Sequence, residues 1–218
     1  MIKMNNKKNF IEVWLIYSLL LMILLNFSIF FWDFFSGTDT QGFGVLEPYF
    51  GLPMFYVYMI SYFSSLIVVY AILKSKKFGM GLFLWLPYAV IGFFVEAYFE
   101  LEFLISIWGV VGYCAFGLLT GLSADISYKF LKEKTSFNER IIAGLTGVIM
   151  SLTYFITIII AIGFFYKAGW GAGSFTDPGS FLGVAYFSFP WMIINAFFGG
   201  FTAYSIHYFL AHRNRNIT

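Results

Sequence analysis

The chain is poor in cysteine, histidine and charge, and each shortage removes a class of function. A single cysteine, Cys114, excludes an intramolecular disulfide and a cysteine-based metal cluster. It falls in the middle of an apolar run, where a thiol reads as a small packing group. The two histidines, His207 and His212, sit close together near one end of one segment, so they cannot clamp a haem between two helices. No HExxH, no paired-glutamate protease motif and no GxSxG is present, and no GxxxxGK[ST] loop cradles a phosphate. No enzyme is expected, and if ATP drives this protein, another chain binds it. Charged residues make up 11% of the chain, against about 25% in ordinary soluble domains.

What replaces them is apolar and aromatic. The chain is 60% hydrophobic and 23% aromatic, with 30 phenylalanines in 218 residues. A soluble fold of this size has no room to hide them, which predicts a membrane protein. Lipid offers the backbone no hydrogen bonds, so spans are helices or closed barrels. The apolar runs are long and lack the period-2 alternation of barrel strands. The expectation is an all-α fold: an integral membrane bundle of six transmembrane helices in a single domain over 1–218. The spans fall at about 10–35, 53–73, 78–97, 103–130, 139–166 and 181–210. The first run, after MIKMNNKKNF, reads as a transmembrane helix and not a signal peptide, because it continues to about Phe35 with no cleavage-like site.

Basic residues set the orientation. Lys3, Lys7 and Lys8 precede span 1; Lys74, Lys76 and Lys77 lie between spans 2 and 3. Lys129, Lys132, Lys134 and Arg140 lie between spans 4 and 5, and Arg213 and Arg215 follow span 6. With six spans, twelve of the thirteen Lys and Arg residues fall on one side, and only Lys167 on the other. The positive-inside rule then predicts that both termini are cytoplasmic. Seven acids map to the external half: Asp33, Asp39, Glu47, Glu96, Glu100, Glu102 and Asp177.

Three of these acids crowd into FVEAYFELEF (94–103) with no cation among them. Glu96 is the deepest, and helical spacing puts Trp85, Ala89, Gly92 and Glu96 on one stripe. A carboxylate inside a span is costly and usually faces a cavity or a partner. That reading is preferred for Glu96; a wet turn at the membrane surface is preferred for Glu100 and Glu102. At the outer end of span 1, Asn26 and Asp33 share a face beside Trp32. Trp32 suits an interfacial aromatic belt as well as a pocket, and Asp33 tips the balance to a pocket. In span 6, Trp191 and Asn195 lie four apart on one face, just after Pro190, which can kink the helix. An amide there either glues helices together, the commoner use, or holds a ligand. Trp108 stands at similar depth in span 4. Asp125, near the inner end of that span, is expected to pair with Lys129 or another base of the following loop.

Small residues form seams at four-residue spacing: Gly117 and Gly121; Ala143, Gly147 and Ser151; Ala196 and Gly200, with Gly199 and Ala203. Such seams let helices pack closely or dock another membrane subunit.

Four stretches carry a resemblance: FGLPMFYVYMISYFSSLIVVYAILKSKKFG (50–79), EAYFELEFLISIWGVVGYCAFGLLTGLSADISYKFL (96–131), IIAGLTGVIM (141–150) and FPWMIINAFFGGFTAYSIHYFL (189–210). Together they resemble the S components of energy-coupling factor vitamin transporters, in the branch for the thiamine precursor hydroxymethylpyrimidine. The resemblance rests on glycines, acids and helix lengths from about residue 45 onward. It implies a vitamin pocket near the outer face, with Glu96, Trp108, Trp191 and Asn195 as lining candidates. It also implies a transmembrane coupling subunit and cytoplasmic ATPases on separate chains, and bodily reorientation in the bilayer to release cargo. The chain departs from the pattern in span 1, which has no Gly or Ala between residues 10 and 35 where many S components carry a small-residue docking stripe.

Seven external acids against one base favour a cationic or amine-bearing solute, and aromatic faces favour flat rings. The expected partners are therefore such a small molecule, membrane lipid and the transporter's other chains, with no cofactor, metal or nucleic acid. The expected location is the cell membrane, multi-pass, of a bacterium or archaeon. The competing reading is a non-catalytic accessory or structural subunit of a larger membrane complex.

Overall fold

The computed structural model describes residues 10–24, 52–87, 90, 107–165 and 181–215. These residues are all helical apart from two short connections, and no strand occurs among them. Six helices follow in order. They are α1 (Phe10–Leu24), α2 (Leu52–Ser75), α3 (80–87), α4 (Ile107–Lys134), α5 (Glu139–Phe165) and α6 (Phe181–Arg215). The outer half of span 1, most of span 3 after residue 87 and the first residues of span 4 lie outside the described residues.

Local chemistry accounts for the helix ends. Pro53 stands in the first turn of α2, where its missing N–H is not needed. Asn138 caps α5: its Oδ1 accepts the Arg140 amide at 3.0 Å, and its carbonyl takes the amides of Ile141 and Ile142. Glu139 in the first turn of α5 and Lys132 and Lys134 in the last turn of α4 complement the helix dipoles. The α2–α3 connection turns through Lys76 at φ 53° and Gly79 at φ 94°. α4 and α6 extend past the apolar spans expected at 130 and 210, to Lys134 and Arg215. Hydropathy marks where the apolar residues stop, whereas the helices continue through polar turns rich in good helix formers.

α2 packs most extensively on α6, α6 on α5, and α5 on α4. The small-residue seams are the crossing points, and they lie inside the bundle. Ala143, Ala196 and Ala203 are fully buried. A Cβ on Gly147 would stand 2.5 Å from the Ala196 carbonyl oxygen, and one on Gly199 would strike the Tyr62 carbonyl. A second close crossing joins α3 to α4, where Gly81 and Gly121 face each other; a Cβ on Gly81 would stand 2.6 Å from the Gly121 oxygen. α1 is fastened to α3 by Trp14, whose Nε1 donates to the Phe83 carbonyl at 2.8 Å, and by edge-on contact of Phe10 with Phe83.

The interior is unusually polar for so apolar a chain. Ser61, Ser64, Ser65, Thr120, Thr146 and Ser151 are buried. Several return their hydroxyl proton to their own helix, as Ser64 does to the Ile60 carbonyl and Thr146 to the Ile142 carbonyl. Ser65 instead reaches across to α5, 3.3 Å from the Ser151 hydroxyl and 3.4 Å from the Gly147 carbonyl. Both contacts are long, so Ser65→Ala is expected to cost under about 1 kcal/mol. Ser65→Val adds bulk beside Gly147 and Gly199 and is expected to cost more than alanine does. Thermal unfolding of the two variants in detergent checks the order, and equal losses would refute a steric seam at this point.

The exterior also carries large apolar side chains. Leu19 is 60% exposed and Phe209 64%, and Phe78, Phe83, Phe130 and Phe198 are likewise exposed. No phenylalanine is among the buried core residues that are described. The stretch Glu139–Thr157 is long and apolar enough to cross a membrane by length and composition, and Phe10–Leu24 and Met59–Ser75 are shorter apolar helices.

Candidate functional site

Two of the residues expected at the outer pocket are described in full, both on α6. Asn195 Nδ2 donates to the Trp191 carbonyl at 2.8 Å, within one helical turn. That bond stays within α6. The Trp191 side chain is 42% exposed, while adjacent Met192 is buried against the bundle. Pro190 lies within α6, which runs on through it. Glu96, Trp32 and Asp33 lie outside the described residues, as does the side chain of Trp108, whose backbone belongs to the first turn of α4. Trp85, at the base of the Glu96 stripe, is buried and lies against the Tyr154 ring of α5 with centroids 5.5 Å apart.

Asp125 has a structural task different from the expected lysine pair. Its side chain, on a residue only 2% exposed, reaches from α4 to the start of α3. There Oδ1 accepts the Gly81 amide at 3.0 Å and Oδ2 the Leu82 amide at 2.9 Å. First-turn amides have no partner within their own helix, so a carboxylate from outside satisfies both hydrogen bonding and helix dipole. The glycine crossing lets α4 come near enough for this: without side chains at 81 and 121, the backbone of α3 sits against α4 directly.

The described cavity is at the Lys-rich end, about 470 Å³ in volume. Along the α6 axis Trp191 and His207 are roughly 24 Å apart, so this cavity is not the outer pocket expected from sequence. Ile72, Leu73 and Phe78 give it apolar walls. α4 contributes Asp125, Tyr128, Lys129, Lys132 and Glu133, one face at spacings of three and four. Lys76, Lys77, Glu139, Tyr204 and His207 complete it. Lys132 Nζ meets Glu139 Oε1 at 3.1 Å, tying the end of α4 to the start of α5. That hydrogen bond chiefly, with Tyr128 adding, holds the Lys132 ammonium above its ordinary pKa range.

Cations at this end rest on aromatic rings. Lys74 lies 5.5 Å from the Tyr17 centroid and 5.9 Å from that of Tyr70. Lys77 lies over Phe10, Lys129 over Phe78 and Lys132 over Tyr128. Arg140 stands between Tyr204 and Tyr208. Ring faces orient a cation without cancelling its charge. From the sequence these lysines orient the chain, with Lys129 also the expected partner of Asp125; the signal for a cavity is the run of polar residues at i, i+3, i+4 and i+7 from Asp125, opposite KSKK (74–77).

No cluster of three or more potential metal ligands occurs among the described residues. Comparison with protein-family models, with curated proteins and with solved structures finds no match.

Proposed function

We propose that the chain is the substrate-binding membrane subunit of an ATP-driven uptake transporter for a small aromatic, amine-bearing vitamin or precursor, such as hydroxymethylpyrimidine or thiamine. What carries this reading is the charge pattern of the sequence, which with six spans puts twelve of thirteen bases on one side and seven acids with one lysine on the other. An acidic, aromatic-rich mouth attracts a flat cationic solute and repels phosphorylated or carboxylate forms.

The apolar exterior supports the membrane part of the reading. In water, so many exposed Leu, Ile and Phe side chains would be unfavourable. In lipid it is the expected arrangement, because apolar side chains gain nothing by leaving the hydrocarbon and small residues allow close backbone contact. The small-residue seams are engaged within the bundle, so any coupling subunit would contact another surface. Glu96 is the proposed ligand carboxylate, with Trp108, Trp191 and Asn195 around it and Trp32 and Asp33 at the mouth. Glu100 and Glu102 then form an acidic rim.

The test is tryptophan fluorescence of the detergent-purified chain titrated with hydroxymethylpyrimidine and with thiamine. Saturable quenching at micromolar ligand or tighter is expected for the wild type, and its loss in Glu96→Gln with helicity unchanged. Silence toward both compounds from a folded protein would overturn the substrate assignment and favour a non-catalytic accessory subunit.

A further inference from the structure

α3 contains a proline, and a different helix makes good the hydrogen bond that it removes. In an α-helix the amide of residue 87 would donate to the carbonyl of residue 83. Residue 87 is Pro87, which has no N–H and whose ring crowds that same carbonyl. Residues 80–87 are helical nonetheless, and so is Val90. The acceptor that Pro87 leaves open is the one that Trp14 of α1 takes: its Nε1 donates to the Phe83 carbonyl at 2.8 Å, across 69 residues of chain. Phe10, one turn before Trp14, lies edge-on to the Phe83 ring with centroids 5.7 Å apart, so α1 is seated at this turn of α3 by two side chains.

The start of α3 is held independently of α1. Asp125 accepts the Gly81 and Leu82 amides from α4, and the Phe83 amide donates to the Gly79 carbonyl at 2.9 Å. Gly81 lies against the backbone of Gly121, and Leu84 and Trp85 are buried. α3 therefore has an anchored start followed by a joint, where the backbone ladder lacks one bond and a side chain of α1 supplies another in its place.

We infer that Trp14 is a positioning residue. By occupying the carbonyl that Pro87 frees, it fixes the direction in which α3 continues past its anchored start, and it couples that direction to the place of α1. Moving α1 off α3 and releasing the joint at Pro87 are then one event. Under the transporter reading the joint bears on the ligand, because Pro87 precedes Glu96 by nine residues. The joint itself does not rest on that reading.

Two measurements on the full-length chain in detergent test it, and neither uses a ligand. The first is a thermal-unfolding cycle. Trp14→Phe keeps a ring but removes the donor, and is expected to lower Tm by about 3–6 °C. Pro87→Ala returns an N–H to the Phe83 carbonyl, so in that background Trp14→Phe is expected to cost less than half as much. Equal losses in the two backgrounds would mean that Trp14 acts by packing alone, and would overturn the inference. The second does not need Pro87→Ala. Spin labels at Val90→Cys and Ile149→Cys, both on exposed positions and with Cys114→Ser, read the distance from α3 beyond the joint to α5. Labels at Phe78→Cys and Ile149→Cys read the anchored start. Trp14→Phe is expected to broaden the Val90 distribution and leave that of Phe78 unchanged. An unaltered Val90 distribution, or equal broadening at both positions, would overturn the positioning role.

Discussion

Gly200→Ala is expected to lower the unfolding temperature of the detergent-purified protein by roughly 6–12 °C. The added methyl would land on the Ala143 carbonyl oxygen, 2.8 Å from the Ala143 carbonyl carbon and 3.1 Å from the Gly144 Cα. All three obstacles are backbone, so no rotamer change can make room, and α5 and α6 must move apart. Overpacking costs about 1–3 kcal/mol in general, and a clash that only a helix shift relieves belongs at the upper end. Gly144→Ala is the internal control. Its methyl would meet the ring of Phe197, which can swing away, so the loss is expected to be clearly smaller. Equal melting of Gly200→Ala and the wild type would mean that α5 and α6 do not cross at this point.

The second large effect belongs to Asp125. Asp125→Ala leaves the Gly81 and Leu82 amides without the acceptors they have now, in a site where the parent residue is 2% exposed. An orphaned buried donor costs about 1–3 kcal/mol, so a loss of about 2–5 kcal/mol is expected for the pair. Asp125→Asn keeps one acceptor but turns an N–H toward an N–H, and its loss should fall between alanine and wild type. Thermal unfolding orders the series, and limited proteolysis at the 76–79 turn reports whether α3 has come loose. Lys129 makes the experiment decisive. Were Asp125 chiefly half of an ion pair, Lys129→Gln would destabilise as much as Asp125→Ala; with amides as partners, Lys129→Gln leaves stability close to wild type.

Asp125 also shows where sequence reading stops. A structural carboxylate was legible, because an acid at the end of an apolar span must have a partner. Its nearest visible partner was a lysine four residues on, whereas the actual amides are 44 and 43 residues away, on another helix. Helix existence was legible for the same reason that burial was not. Long apolar runs between polar turns locate α2 and α5 to within about two residues of Leu52–Ser75 and Glu139–Phe165, and Pro53 marks the start of α2. The seams at Ala143, Gly147 and Gly200 were legible from their spacing, but nothing in that spacing says which helix fills each seam. Gly81 gave no seam signal at all, being a single glycine, yet it makes the α3–α4 crossing. The Lys-rich cavity was hidden because its walls come from four helix ends and the connection after α2. Of the residues expected at an outer pocket, Trp191 and Asn195 share one turn of α6, and the side chains of the others lie outside the described residues.

The extensive contact between α2 and α6 bears on how the protein is made. Tyr62 donates to Thr202 at 3.2 Å across 140 residues of chain, and the Tyr62 carbonyl sits where a Gly199 side chain would be. At about 5–20 residues per second, α2 leaves the ribosome roughly 7–28 s before its partner exists. During that interval its Ser61, Ser64 and Ser65 face has no α6 to cover it. A helix whose own hydroxyls bond its own carbonyls, as Ser64 does, tolerates that wait better than one whose polar groups need a neighbour. The bundle therefore stays open along α2 until α6 has been made, and that helix acts as the closing stave of the assembly.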